Sequence, residues 1–230
     1  MTSESLINFY VEATNCNQSC VGIRNERENG AFPRSFYCPS EPENVTLLIV
    51  SKNPGIGHPD AKSMFSSLSD VELLKTHDDF IRARFEGRND LIKSKFHANM
   101  IDWVSLILDV DPSHDSVFKH AAKTALVKCE SQSDKTAILP SSTISECASR
   151  WLWREIQIIQ PKYLLSLGNE VHRYLTRSDI QELHNLPVGK LQHPSWTNMK
   201  GGVKRYKNEV LPALRREYLA ACGLPEKHVS

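Results

Sequence analysis

A chain of 230 residues, 40% apolar and 24% charged, can bury one ordinary hydrophobic core, so a single domain spanning residues 1–230 is expected. Ten glycines and twelve prolines exclude a fibrous or low-complexity chain, and a formal charge of +1 removes the bulk electrostatic argument for a nucleic-acid partner. The apolar runs are too short to span a membrane and MTSESLINFY lacks the basic-then-apolar order of a signal peptide, which points to a cytoplasmic protein.

In chain order, the first chemical feature is a close cysteine pair, Cys16 and Cys20, followed by Cys38. Where disulfides are disfavoured, clustered cysteines serve a metal or cluster, or are buried free thiols. A second, wider pair, Cys129 and Cys147, could converge on the first, and four thiolates suit an iron-sulfur cluster or a structural zinc. Cys222 reads as an ordinary thiol.

The run VTLLIVS (Val45 to Ser51) is short, branched and apolar and is stopped by Asn53-Pro54-Gly55, which predicts a buried strand ending in a tight turn. Ser69 to His120 reads as two or more helices interrupted near Gly87 to Asp90. Thr124 to Lys128 predicts a second strand, and a helix is expected from about Thr143, capped by Thr143 and Glu146 and stopping before Pro161. Tyr163 to Leu167 predicts a third strand, stopped by Gly168, and Val188 to Gln192 a weaker fourth, ending at His193-Pro194. The last helix runs from about Val203, with Pro212 as a candidate kink. Between Lys190 and Tyr218 seven basic residues face two acids, either a solvated helix face or a local anion-binding surface.

Strands alternating with helices predict a three-layer α/β sandwich, with a central, mostly parallel four-stranded sheet flanked by helices. Ligands of such sheets bind beyond the carboxyl ends of the strands. Asn53-Pro54-Gly55 and His193-Pro194-Ser195 both fall there, which brings an amide, an imidazole and a hydroxyl to one crevice.

LLIVSKNPG, HPSWTN and, between them, VKC with a second cysteine followed by EIQIIQPKYLLSLG resemble the motifs of the uracil-DNA glycosylase superfamily. The cysteine-bearing stretch is most similar to its iron-sulfur branch, and the likeness runs from about Cys16 to Tyr218. The resemblance implies base excision from DNA by a monomeric, monofunctional glycosylase, with a non-catalytic module of the same fold that recognises damaged or single-stranded DNA as the alternative. It implies that Asn53 holds the attacking water and that His193 donates a hydrogen bond to O2 of the departing base. Phe65, eleven residues after Pro54, would stack on the flipped base beside Pro54 and Gly55. Ser195 would hold a DNA phosphate, with Trp196 in the loop approaching the emptied stack and Lys200, Lys204 and Arg205 extending the phosphate contacts; Arg82, Arg84 and Arg88 are further candidates. Cys16, Cys20, Cys129 and Cys147 would hold a structural [4Fe-4S] cluster.

The chain departs from that pattern in three places. Cys16 and Cys20 enclose three residues where the branch has two, which makes Cys38 a possible substitute ligand. Ala125 stands where the branch has a base-reading Asn, so the group that checks the pyrimidine edge is open between backbone amides and Asn169. Ser51-Lys52 replaces Gly and an apolar or acidic residue, and Lys52 could bind phosphate or attack the sugar as an amine.

Overall fold

A computed structural model describes residues 4–54, 61–87, 95–132, 138–177, 179–180, 185–194 and 206–226. The strands are β1 (Ile23–Arg24), β2 (Phe36–Tyr37), β3 (Leu47–Ser51), β4 (Ala121–Ala125), β5 (Glu130–Ser131), β6 (Tyr163–Leu167) and β7 (Val188–Leu191). The helices are α1 (Glu4–Thr14), α2 (Ala61–Phe65), α3 (Asp70–Glu86), α4 (Lys95–Leu108), α5 (His114–Phe118), α6 (Ser141–Cys147), α7 (Trp153–Ile159), α8 (Asn169–Leu175) and α9 (Leu211–Cys222).

The central sheet has five strands in the order β2-β4-β3-β6-β7, one more than the sequence suggests. β4, β3, β6 and β7 are parallel, while the extra strand, β2, is a two-residue antiparallel edge on β4. Every residue of β3 and β6 is buried, as expected of a parallel sheet covered on both faces. Alternation along β3 sends Leu48 and Val50 to one core with α1, α6, α7 and α8, and Leu47 and Ile49 to the other with α4, α5 and α9. This is the expected three-layer α/β sandwich.

Several boundaries differ from the sequence reading. The second strand spans Ala121–Ala125 rather than Thr124 to Lys128, because pairing of Ala121 and Ala122 with Leu47 and Leu48 outweighs the weak strand preference of alanine. α6 starts at Ser141, and the Thr143 hydroxyl donates to the Val21 carbonyl at 3.0 Å instead of capping a helix. The reciprocal capping box belongs to Ser69 and Glu72 at the start of α3. Tyr206–Val210 is π-helical and runs directly into α9, so Pro212 falls inside a continuous helical stretch, next to its change from π to α, where an irregular turn accommodates the missing N–H. The stops at Gly87, with φ +70°, and before Pro161 fall where the sequence puts them.

Gly189 sets how closely β7 approaches its neighbours. A Cβ there would lie 2.0 Å from the Tyr163 Oη, which donates to Glu217 at 2.7 Å. Among the described residues no helix is long and apolar enough to cross a membrane.

Beneath the first core face lies a fully buried ion pair, Lys128 Nζ to Glu155 Oε2 at 2.6 Å. The same carboxylate accepts from the Tyr10 hydroxyl at 3.0 Å and the Thr124 hydroxyl at 2.5 Å, so it joins α1, β4, α7 and the segment after β4. Removing one member of such a pair leaves a bare buried charge, which is worse than removing both. Glu155→Ala should therefore lose about 3–5 kcal/mol of stability, a fall in melting temperature of roughly 10 °C. The double variant Lys128→Met/Glu155→Leu should recover most of it. Thermal denaturation showing a loss below about 1 kcal/mol for the single variant would remove the pair from any structural role.

Candidate active site and cysteine cavity

The parallel strands end together, and the motifs sit at that edge. Ser51, Lys52, Asn53 and Pro54 leave β3, Gly168 leaves β6, and Gln192, His193 and Pro194 leave β7. One strand separates β3 from β7, which puts their ends roughly 10 Å apart across the sheet.

The Asn53 carboxamide has a defined orientation. Its Nδ2 donates to the Pro54 carbonyl at 2.8 Å and to the Ser131 Oγ at 2.7 Å. A carbonyl only accepts, so the group facing Pro54 must be the NH₂, and Oδ1 is turned away from both partners. Sequence reasoning missed Ser131. It is 5% exposed and sits on β5, which pairs with β1 through Ile23 and Ser131, and the carboxylate of Glu130 beside it is held by Arg24 and Arg34. No local pattern marks such a residue, because its role depends on two strands 107 positions apart meeting beside a third segment.

His193 follows β7 with one side open to solvent and its ring 5.4 Å from Phe96. Partial burial, then the charge of Lys123, hold its pKa below the usual imidazole value, so the ring is neutral at pH 7. Its loop is anchored on both sides. The Gln192 N–H donates to the Tyr206 hydroxyl at 2.6 Å, and Asn99 donates to the Pro194 carbonyl at 2.7 Å. The left-handed Gly168, φ +90°, lies beneath, where a Cβ would come 4.0 Å from that of His193.

Phe65 is 2% exposed and packs edge-on against Phe32 at 5.3 Å and Phe80 at 6.2 Å, with His77 at 6.4 Å. Ala125 is fully buried, and Asn169 opens α8 on the surface. Lys52 pairs with Glu170 at 2.9 Å. The basic run is largely neutralised where it is described: Lys207 pairs with Asp102 and Arg215 with Asp109. Arg82 is likewise tied to Glu86 and Asp115, and the Arg84 guanidinium lies over Phe80. Gly55, Arg88, Ser195, Trp196, Lys200, Lys204 and Arg205 lie outside the described residues.

Cys16, Cys20, Cys129 and Cys147 line one small cavity, walled by Ile23, Pro33, Val127 and Trp151. Cys38 is elsewhere, its thiol donating to the Ser40 carbonyl at 3.4 Å. Among the described residues no three cysteine sulfurs lie within 4.8 Å of one another. Four thiolates are the donor set of a structural zinc or of a polynuclear iron-sulfur centre. Burial, followed in Cys129 by the neighbouring sulfurs, pushes the thiols up, Cys147 to about 11. Four thiolates in this cavity would need a cationic core to offset their repulsion, and the donor set fits an iron-sulfur cluster.

A search of curated proteins returns no match. A family model, described as the Uracil DNA glycosylase superfamily, matches residues 38–215, from the end of the β2 segment into α9. With the parallel sheet and both motif loops at its carboxyl edge, the chain belongs to the uracil DNA glycosylase superfamily.

Proposed function

We propose that this protein is a monofunctional DNA glycosylase that hydrolyses the N-glycosidic bond of uracil, or a related deaminated base, flipped out of DNA. The observation that carries the reading is the fixed carboxamide of Asn53, with Oδ1 turned away from its two acceptors, at the sheet edge that also bears His193.

The target nucleotide must leave the stack before its C1′–N bond is reachable. As that bond breaks, its electron pair moves onto the base and positive charge builds on the sugar. Water held by Asn53 Oδ1 adds to C1′ and releases its extra proton to solvent, since an amide cannot keep it; the contribution of Asn53 is placement. The neutral His193 ring donates to O2 of the departing base, where the negative charge collects, an interaction of the oxyanion kind worth about 10²–10³ in rate. Phe65 would offer an apolar wall to the base, and the segment from Ser195 to Arg205 the phosphate contacts. Lys52 is better suited to phosphate than to amine attack, because its ammonium already pairs with a carboxylate, Glu170, at 2.9 Å. Cys16, Cys20, Cys129 and Cys147 would hold a [4Fe-4S] cluster that ties the N-terminal segment to the chain after β4. DNA is the partner, and one copy of the chain carries every group named.

A labelled oligonucleotide with one uracil, incubated with the protein and then treated with alkali, should break at that position. No cleavage above background would reject the enzyme and leave a DNA-binding module. Asn53→Ala should slow single-turnover excision about 100-fold with DNA affinity nearly unchanged. Ser131→Ala, which frees one end of the carboxamide, should slow it roughly tenfold and have no further effect in the Asn53→Ala background; additive losses would show that Ser131 does not act through Asn53. Purified protein should be brown and carry roughly four iron atoms per chain. A colourless, iron-free and fully active preparation would remove the cluster.

A further inference from the structure

Lys123 is the third residue of β4 and, by strand alternation, shares a face with Ala121 and Ala125. Its register neighbours are Ile49 and Tyr37, which with Ala121 belong to the core on the side of α4 and α5. It therefore lies one step, roughly 6.6 Å, below Ala125 and the end of β3, about the length of an extended lysine side chain. A small residue stands above it, and its charge acts on both His193 and His77.

Lys123 is half-buried, and among the described residues it forms no ion pair within 4 Å, the Glu155 carboxylate acting on it only from further away. Burial, then the charge of Lys128, lowers its pKa to about 8, so it is still mostly protonated at pH 7. Its neighbour His77 cannot compensate it. That ring is 3% exposed, has a buried unpartnered Nδ1 and is held neutral, with a pKa of about 3. A half-buried cation below the sheet edge would be desolvated by a bound base, so it favours a ligand that supplies an oxygen in place of water.

We propose that Lys123 is the specificity-determining residue of the pocket, its ammonium donating to the exocyclic carbonyl oxygen that deamination leaves on the base, O4 of uracil or O6 of hypoxanthine and xanthine. The inference rests on the glycosylase reading. An ammonium has three donors and no acceptor, so it pairs with a keto oxygen and faces the amino group of cytosine or adenine donor to donor. Refusal of the parent base follows, because binding it leaves the buried charge unpaired. The same cation stabilises the negative charge that the base gains as the C1′–N bond breaks, from the edge opposite His193. The substrate class is thus keto bases formed by deamination.

The deciding experiment compares wild type, Lys123→Met and Lys123→Gln on single-turnover excision of uracil, hypoxanthine and cytosine, on affinity for DNA with a stable abasic-site analogue, and on melting temperature. Lys123→Met should excise uracil and hypoxanthine at least about 100-fold more slowly, bind abasic-analogue DNA as wild type does, and melt no lower. Lys123→Gln, which can donate or accept, should narrow the preference for uracil over cytosine. Wild-type excision by Lys123→Met, an unchanged preference in Lys123→Gln, or a clear fall in melting temperature of Lys123→Met would each overturn the assignment while leaving the glycosylase reading intact. Wild-type protein inactive on every base would instead overturn that reading.

Discussion

The Glu155 carboxylate, fully buried among α1, β4 and α7, constrains much of what surrounds the site. A charge at full burial persists only if its oxygens are satisfied, and here Tyr10, Thr124 and Lys128 do so from three different segments. None of them can shift alone without exposing a cost of several kcal/mol. Lys128 is thereby fixed, and its backbone N–H donates to the Cys147 sulfur at 3.3 Å. The chain leaves that point directly into Cys129, Glu130 and Ser131, so one half of a buried ion pair, a cysteine of the cavity and the acceptor that orients Asn53 fall within four consecutive positions.

This arrangement gives the two-stranded ribbon of β1 and β5 a purpose beyond its size. An isolated pair of two-residue strands has almost no stability of its own. β1 begins three residues after Cys20 and β5 one residue after Cys129, and the Glu130 carboxylate collects Arg24 from β1 and Arg34 from the chain before β2. Contacts at both ends hold the ribbon in register, and Ser131 projects from it toward Asn53. Conformational entropy lost in these short segments is offset by cross-links of high sequence separation, which is the costly kind to form and the rigid kind to keep.

What could be read from the sequence follows the range of the interactions involved. The runs that became β3 and β6 are legible because burial on both faces demands continuous apolar residues, and the loops after β3 and β7 because parallel pairing sends their ends to one edge. β4 is displaced by three residues because Ala121 and Ala122 carry no strand signal and are recruited by their neighbours. β2 escapes notice at two residues long. Thr143 has the look of a cap, yet its hydroxyl is drawn to Val21, a partner 122 residues away. The basic run promises a phosphate track, but Asp102 and Asp109 on and beside α4 neutralise its later members, a pairing visible only once α9 lies on that helix.

The two lysines of the β4 segment show how the same residue type separates into structural and chemical roles. Lys128 lies on one side of the sheet, fully buried and bonded to Glu155 and Thr124; the fold accounts for it. Lys123, five residues earlier, is half-buried beside the apolar residues of the other face and forms no close ion pair among the described residues. Met or Leu would fill that position with less desolvation and no loss of pairing, so stability does not explain the charge. The cation does lie under the carboxyl edge of the sheet, where it acts on His193, and where a base gaining negative charge would bring oxygens to both. A cation that interacts more strongly with the departing anion than with the neutral bound base favours the transition state over the ground state, which is the differential that catalysis requires.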